Sequence, residues 1–478
     1  MGEDLKKKSL SSIKLLALPL GVTYLIKFIQ TPVLAIFLSP ADFGIWGLAN
    51  VLIKAMESLT EVGIQKLLIQ RESIKKSFLR SIWGFMILRG LFITGVALAI
   101  VPYYASFVDS PEGKFIFTLA IIVPAIQSFT TPALYLSERD IEFKNIAIYD
   151  ALGQILFFII VVALAYVYQS VLAMVMALLI VEGFKVFMSY GFFGIPAWPR
   201  FPEWRYLKEI FHHGKHFFLI SLGSFVTIQI DDLMVGKLLG SDILGFYLIG
   251  YTLINVIITI IRKLFGRVLF PYYTKLVAGD EQAHTKINRI LEDQILLLCI
   301  VFTGLFMLTS PLINLFFDDR WVEAIPIIQI LTFTGLMRGI GNIIVPLFLA
   351  EKKQNILAVG RIIEVILFVP FIYLFTKQFG VIGTSYSVGV IFFIALSYRI
   401  IMAYRMFSLE VFKSTAMGYV GTFSTFITFA FVSLLYLEHY FYLFEYAGAP
   451  LLLAAILFHF YRKGKTLSYF LKEYIQYG

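Results

Sequence analysis

Apolar runs of about 20 residues follow one another through this chain, and each is long enough to cross a hydrocarbon layer as a helix. Inside lipid a backbone N–H or C=O has no water to bond, so a crossing segment must satisfy its own backbone, as a helix does. About fourteen crossings are expected, at roughly 15–38, 43–67, 80–107, 115–136, 146–168, 170–194, 215–239, 244–268, 293–317, 325–349, 355–376, 381–403, 413–437 and 442–461. The fold class that follows is an all-α polytopic membrane protein. Composition rules out the soluble alternative: 59% of the 478 residues are hydrophobic and only 15% charged, where soluble domains carry roughly 25%. The lone cysteine, Cys299, excludes a disulfide framework and reads as a buried thiol.

The connections sort by charge. With the N-terminus inside, the odd-numbered ones are poor in Lys and Arg: Asp42, then Asp109, Glu112 and Lys114, and later Asp242, Asp318, Asp319, Arg320 and Glu323. The even-numbered ones carry Arg71, Lys75, Lys76 and Arg80, then Arg139 and Lys144, then Arg200, Arg205, Lys208 and Lys215, and so on to Lys352, Lys353 and Arg405. Lys/Arg retention on one side predicts an even number of spans with both termini cytoplasmic. The net charge of +9 therefore reads as topology, with no nucleic-acid partner. Lys6, Lys7 and Lys8 precede a run too long for a cleavable signal, so the first span is expected to be retained. The longest connection, 196–214, holds Pro199, Pro202, Trp198 and Trp204 and reads as an interfacial linker.

An internal repeat is visible. Leu38-Ser39-Pro40-Ala41-Asp42-Phe43-Gly44-Ile45-Trp46 resembles Leu239-Gly240-Ser241-Asp242-Ile243-Leu244-Gly245-Phe246-Tyr247. Pro102 with Phe107-Val108-Asp109 matches Pro311 with Phe316-Phe317-Asp318, and Leu136-Ser137-Glu138-Arg139 matches Leu349-Ala350-Glu351-Lys352. The offsets of 201, 209 and 213 residues drift slowly, as loop insertions would make them. Two six-helix pseudo-repeated lobes are expected, 1–195 and 215–407, joined by the linker 196–214 and followed by two extra helices in 408–478. Repeats with an even number of spans share one orientation, the architecture of a transporter that binds between its halves.

Polar residues inside the spans are the candidates for chemistry. In segment two, Asn50, Lys54, Glu57, Ser58, Glu61 and Gln65 fall on one helical stripe. A charge facing lipid at mid-helix costs roughly 2.5–3.5 kcal/mol, so the stripe should face protein or water. Lys27 shares a face with Thr23 and Gln30 and lies roughly 18 Å along segment one, near the midplane. Thr334, Arg338 and Asn342 align on segment ten, and Tyr247, Tyr251, Asn255 and Arg262 on segment eight. Arg89 sits in the inner third of segment three, and Asp231 and Asp232 in the outer half of segment seven, below Lys237.

Other charges have plainer readings. Glu182–Lys185 and Arg361–Glu364 are i, i+3 pairs that can neutralise each other. Arg262 and Arg399 lie near span ends and read as snorkelling. His212-His213-x-x-His216 lacks carboxylate or Cys partners at ligand spacing, so no metal site is expected and the histidines read as solvated. No GxxxxGK[ST] loop and no catalytic Ser/His/Asp or paired-acid arrangement occurs, and no enzyme is expected.

The stretch FLSPADFGIWGLANVLIKAMESLTEVGIQKLLIQR resembles the polysaccharide transport family of Wzx-type O-antigen and capsule flippases, within the multidrug/oligosaccharidyl-lipid/polysaccharide exporter superfamily. The resemblance implies translocation of undecaprenyl-diphosphate-linked glycan across a bacterial or archaeal cytoplasmic membrane, with glycan polymerases as candidate partners. Such a substrate needs a hydrated cavity with cations, and the polar residues inside the spans, Lys27, Gln30, Asn50, Lys54, Arg89, Asn255, Arg338 and Asn342, are the ones expected to meet the diphosphate and sugars. Glu57, Glu61, Asp231 and Asp232 would couple transport to a proton or Na⁺, with no other cofactor, and the two extra spans would suit the polyprenyl tail. Two alternatives stand beside this reading. A multidrug/cation antiporter would want an acid-lined cavity, which central Lys27 and Arg338 oppose. A membrane glycan polymerase or ligase would want a large outer loop bearing Arg or His, and the outer connections here are short and slightly acidic.

Overall fold

The computed structural model describes residues 2–60, 63–71, 74–140, 142–195, 197–279 and 283–407, and for some helical stretches, 2–18 and 263–272 among them, only the backbone. Glu61, the spans expected at 413–437 and 442–461, and the segment 408–478 lie outside the described residues. Of the twelve earlier spans, ten fall within continuous helical runs, 43–67 and 115–136 are broken into shorter helices, and no strand occurs among the described residues. Eight of these helices are long and apolar enough to cross a membrane.

The chain divides into two units, Met1–Leu248 and Ile249–Gly478. The first holds α1 (Gly2–Phe37), α2 (Pro40–Leu59), α3 (Ile64–Gln70), α4 (Lys76–Phe107), α5 (Gly113–Ala120), α6 (Val123–Gln127), α7 (Ala133–Arg139), α8 (Phe143–Tyr168), α9 (Leu172–Phe193) and α10 (Trp204–Leu239). The boundary falls inside α11 (Ser241–Gly279). The second unit continues through α12 (Ala283–Phe316), a 3₁₀ turn at Asp319–Trp321, α13 (Ala324–Ala350) and α14 (Gln354–Phe407). α14 is one run bent at Gly380, whose φ of 61° breaks the helix. The expected linker is shorter than its sequence suggested, because α10 is already helical from Trp204.

α2 starts where the residues dictate. Ser39 is its N-cap and Pro40 its first residue, a position that needs no N–H. Asp42 Oδ2 accepts from Ser39 N at 2.9 Å and Ser39 Oγ at 2.6 Å, while Asp42 N donates to Ser39 Oγ, closing a capping box. Asp42 Oδ1 also accepts from Val171 N at 2.8 Å, at the N-cap of α9. One carboxylate thus serves two helix N-termini, where negative charge is favoured.

The repeated turns meet each other inside the first unit. A Cβ on Gly44 would lie 1.8 Å from the Ser241 carbonyl oxygen, and one on Gly245 would lie 2.0 Å from that of Pro40. Gly44 and Gly245 are equivalent across the 201-residue offset, as are Pro40 and Ser241, so the contact is reciprocal. Backbone against backbone leaves no side chain to yield. A Cβ on Gly236 would likewise meet Leu48, which lets α10 run close against α2.

The other repeat pairs occupy matching places. Pro102 and Pro311 lie inside α4 and α12, near their C-terminal ends. The segment of α5, α6 and α7 is broken around Thr131-Pro132, whereas its counterpart α13 is continuous. Asp109 and Asp318 differ in partners: Asp109 pairs with Lys237, while Asp318 caps the 3₁₀ turn and takes Arg320. Those hydrogen bonds hold the Asp318 carboxyl below its ordinary range. Cys299 is half-buried rather than fully buried.

Gly44→Ala and Gly245→Ala are each expected to cost about 1–3 kcal/mol by overpacking against fixed backbone. Gly95→Ala, on α4 with nothing near its Cβ position, should not. Thermal unfolding of the purified variants in detergent checks this, and equal melting temperatures for all three would contradict it.

Candidate functional site

The stripe expected on segment two does not run its full length. α2 stops at Leu59, Thr60 caps it, and Gly63 takes a left-handed φ of 66° against the Phe217 ring. Gln65 therefore belongs to α3, where it donates to Glu138 at 2.6 Å. The helix breaks because Gly63 permits a turn that a continuous 43–67 span would not contain. Lys54 and Glu57 pair at 2.8 Å on the partly exposed face of α2. Asn50 turns back to donate to the Trp46 carbonyl at 3.0 Å, which satisfies it within its own helix.

On α1, Gln30 accepts from Gln154 Nε2 of α8 at 3.0 Å, and Lys27 lies exposed one turn before it. Gln154 was missed as a partner, although an amide at the middle of the apolar α8 signals one. On α10, Asp231 is fully buried and Asp232 nearly so. The Tyr247 hydroxyl donates to Asp231 Oδ2 at 2.7 Å. Asp232 Oδ1 is buried and, among the described residues, accepts no hydrogen bond. Lys237, two turns on, pairs with Asp109. Two adjacent buried carboxylates cannot both carry charge cheaply. Arg89 of α4 is half-buried and lines an apolar cavity of about 750 Å³.

In the second unit Arg338 lies between two rings, its guanidinium carbon 5.4 Å from the centroid of Tyr251 and 5.4 Å from that of Phe392. Rings at this distance attract the cation and lower its hydration, while the guanidinium keeps its fork of N–H donors. Thr334 is buried one turn before it, and Asn342 and Asn255 are half-buried.

Arg399 corrects a reading. It does not snorkel alone: its Nη2 reaches Glu364 at 2.6 Å across the α14 bend, while Arg361 takes the other oxygen at 2.8 Å. Glu364 is 1% exposed, and Gly341 and Gly360 flank the guanidinium closely enough that a Cβ on either would lie 3.2 Å from it. The buried acid draws the arginine inward because a lone carboxylate there is costlier than a pair. Glu182–Lys185 and Arg361–Glu364 are paired as their spacing predicts. No group of three or more His, Cys, Asp or Glu is placed to hold a metal among the described residues, and the His213 and His216 side chains lie outside the description.

Residues 33–326 match the family described as "Polysaccharide biosynthesis protein". The chain belongs to this family. Among its relatives, the lipopolysaccharide biosynthesis protein WzxC of Escherichia coli (strain K12) is 21% identical over 401 residues, 80% of this chain and 78% of that one. The teichuronic acid biosynthesis protein TuaB of Bacillus subtilis (strain 168) is 20% identical over 297 residues, 62% of each chain. Among solved structures, the lipid II flippase MurJ in an inward closed conformation superposes with a TM-score of 0.69 at 14% identity, covering 94% of this chain and 99% of that one. An inward-facing multidrug resistance MATE transporter of the MOP superfamily gives 0.58 at 13% identity, covering 82% and 98%. The all-helical fold is thus the one shared by these two structures.

Arg399→Leu, which leaves the buried Glu364 with Arg361 alone, is expected to destabilise by about 1–3 kcal/mol, and adding Glu364→Leu should restore much of the loss. Denaturation of the single and double variants in detergent measures it. A double variant no more stable than Arg399→Leu would contradict the pairing.

Proposed function

We propose that this chain is a flippase that carries undecaprenyl-diphosphate-linked oligosaccharide from the cytoplasmic to the outer leaflet of a bacterial or archaeal cytoplasmic membrane, with both termini cytoplasmic. Family membership across 33–326 carries the reading. The names of the relatives support it, since WzxC is named for lipopolysaccharide biosynthesis, TuaB for teichuronic acid biosynthesis and MurJ as a lipid II flippase. The role is transport, not catalysis. The lobes would be 1–195 and 215–407, rocking about the linker 196–214 to open the cavity first to one side and then to the other.

Arg338 is the cation best suited to the diphosphate. Its rings lower its hydration, and its planar fork of N–H donors can give two parallel hydrogen bonds to a phosphate. Asn342 and Asn255 offer donors and acceptors to sugar hydroxyls. Lys27 and Arg89 add cations; Lys54 does so less, being held by Glu57. Asp231 and Asp232 are the coupling pair, because a proton or Na⁺ relieves the second buried charge.

Arg338→Ala, expressed at wild-type level, should weaken substrate use roughly tenfold to a hundredfold, the loss of one or two charge-assisted hydrogen bonds. Arg338→Lys should recover only part, since an ammonium cannot bond in parallel. Export of glycan in a deletion strain reads both. Asp231→Asn with Asp232→Asn should remove the dependence of transport on ion gradients. Full export by Arg338→Ala, or unchanged gradient dependence in the double Asn variant, would overturn the respective assignment.

A further inference from the structure

The start of α10 has two unlike faces. Tyr206 and Ile210, one turn apart, are buried in a cluster with Leu67, Leu68, Phe78 and Ile82. Trp204 and Lys208, also one turn apart, are exposed, as is Arg205. The linker before them is fixed to α4. Gly84 has no Cβ, and one there would lie 1.8 Å from the Arg200 carbonyl oxygen. Arg200 N donates to the Arg80 carbonyl at 3.2 Å and Glu203 N to Ser81 Oγ at 3.4 Å, and the Ser77 and Tyr206 hydroxyls lie 2.9 Å apart. These bonds run along the first turns of α4. They leave Trp198, Phe201 and Trp204 uncovered, 71%, 78% and 69% exposed.

The same bonds set two runs of positive charge side by side. Lys75, Lys76 and Arg80 lie at the start of α4, Arg200 in the linker and Lys208 on α10, and all five are exposed. The nearby acids are already held: Glu203 pairs with Arg205 at 2.7 Å and Glu209 with Arg71 at 3.2 Å. None of the five cations meets a carboxylate among the described residues. Trp198, Arg200, Trp204 and Lys208 thus alternate indole and cation along one short, fixed segment. Indoles favour the headgroup level of a bilayer, and each Lys or Arg at a membrane surface adds attraction for acidic lipid. A polar protein partner would leave two indoles and a phenyl ring in water, whereas headgroup phosphate with hydrocarbon directly beside it suits both residue types.

We propose that the linker, the start of α10 and the start of α4 form a docking surface for acidic glycerophospholipid headgroups, on the side of the bilayer that the Lys/Arg distribution assigns to the cytoplasm. Headgroup phosphates lie against Arg80, Arg200 and Lys208, while Trp198, Phe201 and Trp204 enter the headgroup boundary. The surface holds the first unit at a fixed depth in the leaflet. It goes beyond the flippase reading and needs only that the chain spans a membrane, whatever it carries.

The test uses the full chain in nanodiscs made from an equal mixture of phosphatidylglycerol and phosphatidylcholine. A photo-crosslinking benzoylphenylalanine replaces Trp198, and Phe187, equally exposed on α9, serves as the control position. Mass spectrometry of the crosslinked peptide reads which lipid is captured. Position 198 should capture phosphatidylglycerol over phosphatidylcholine by roughly tenfold, the attraction of one to two cations, and position 187 should show no preference. Arg80→Gln, Arg200→Gln and Lys208→Gln together should bring the ratio at 198 close to one. Lys352→Gln with Lys353→Gln, exposed cations of the second unit, should leave it unchanged. Raising the ionic strength from about 0.01 to about 1 M shortens the Debye length roughly tenfold and should lower the ratio with every cation in place, so the test stands even if the triple variant misfolds. Equal capture of both lipids at 198, the same preference at 187, a ratio that ignores salt or survives in a folded triple variant, or capture of another peptide of this chain in place of lipid would overturn the proposal.

Discussion

At the starts of α2 and α11, two glycines let backbone rest on backbone, Gly44 on Ser241 and Gly245 on Pro40. Much of the first unit follows from this contact. It holds the turn 39–42, and the Asp42 carboxylate in that turn joins the start of α2 to the start of α9. With α2 held, α10 lies along it at Gly236, and that position sets where Asp231 and Asp232 are buried. Tyr247, two residues past Gly245, reaches Asp231 from α11. A side chain at either glycine would push apart elements that share these polar groups.

Charge inside the spans is mostly compensated at close range. Lys54 has Glu57, Lys185 has Glu182, Glu364 has two arginines and Lys237 has Asp109. Such pairs lower the cost of carrying charge into a low-dielectric region and leave little net attraction for a ligand. Arg338 is different. Among the described residues it is held by rings and by no carboxylate, so its charge remains available to an anion. That contrast, more than the number of cations, points to where a diphosphate would be recognised.

Much of this was legible in the residues. Spans, helix type and the i, i+3 pairs followed from apolar length and local spacing, since both depend on neighbours in sequence. The 201-residue offset marked the two segments that touch, although neither the capping box at 39–42 nor the contact itself was read from it. What could not be read was long-range. Arg399 meets Glu364 only because α14 bends at Gly380, and nothing local to either residue announces that approach. The break at Gly63 was hidden because Gly also occurs inside helices, and its φ depends on Phe217, which packs there from α10. The rings around Arg338 come from α11 and α14, and only Tyr251 stood out, through its alignment with Asn255. The cavity at Arg89 escaped for the same reason, being assembled from a helix end, a linker and two other helices.

The central claim is that this chain moves a polyprenyl-diphosphate glycan between leaflets. Its most direct test is leaflet-resolved labelling of that lipid in a deletion strain with and without the restored gene. The account predicts that glycan-lipid accumulates on the cytoplasmic side without the gene and reaches the outer leaflet once it is restored. An unchanged leaflet distribution in the deletion strain, with no other exporter of this fold present, would contradict it.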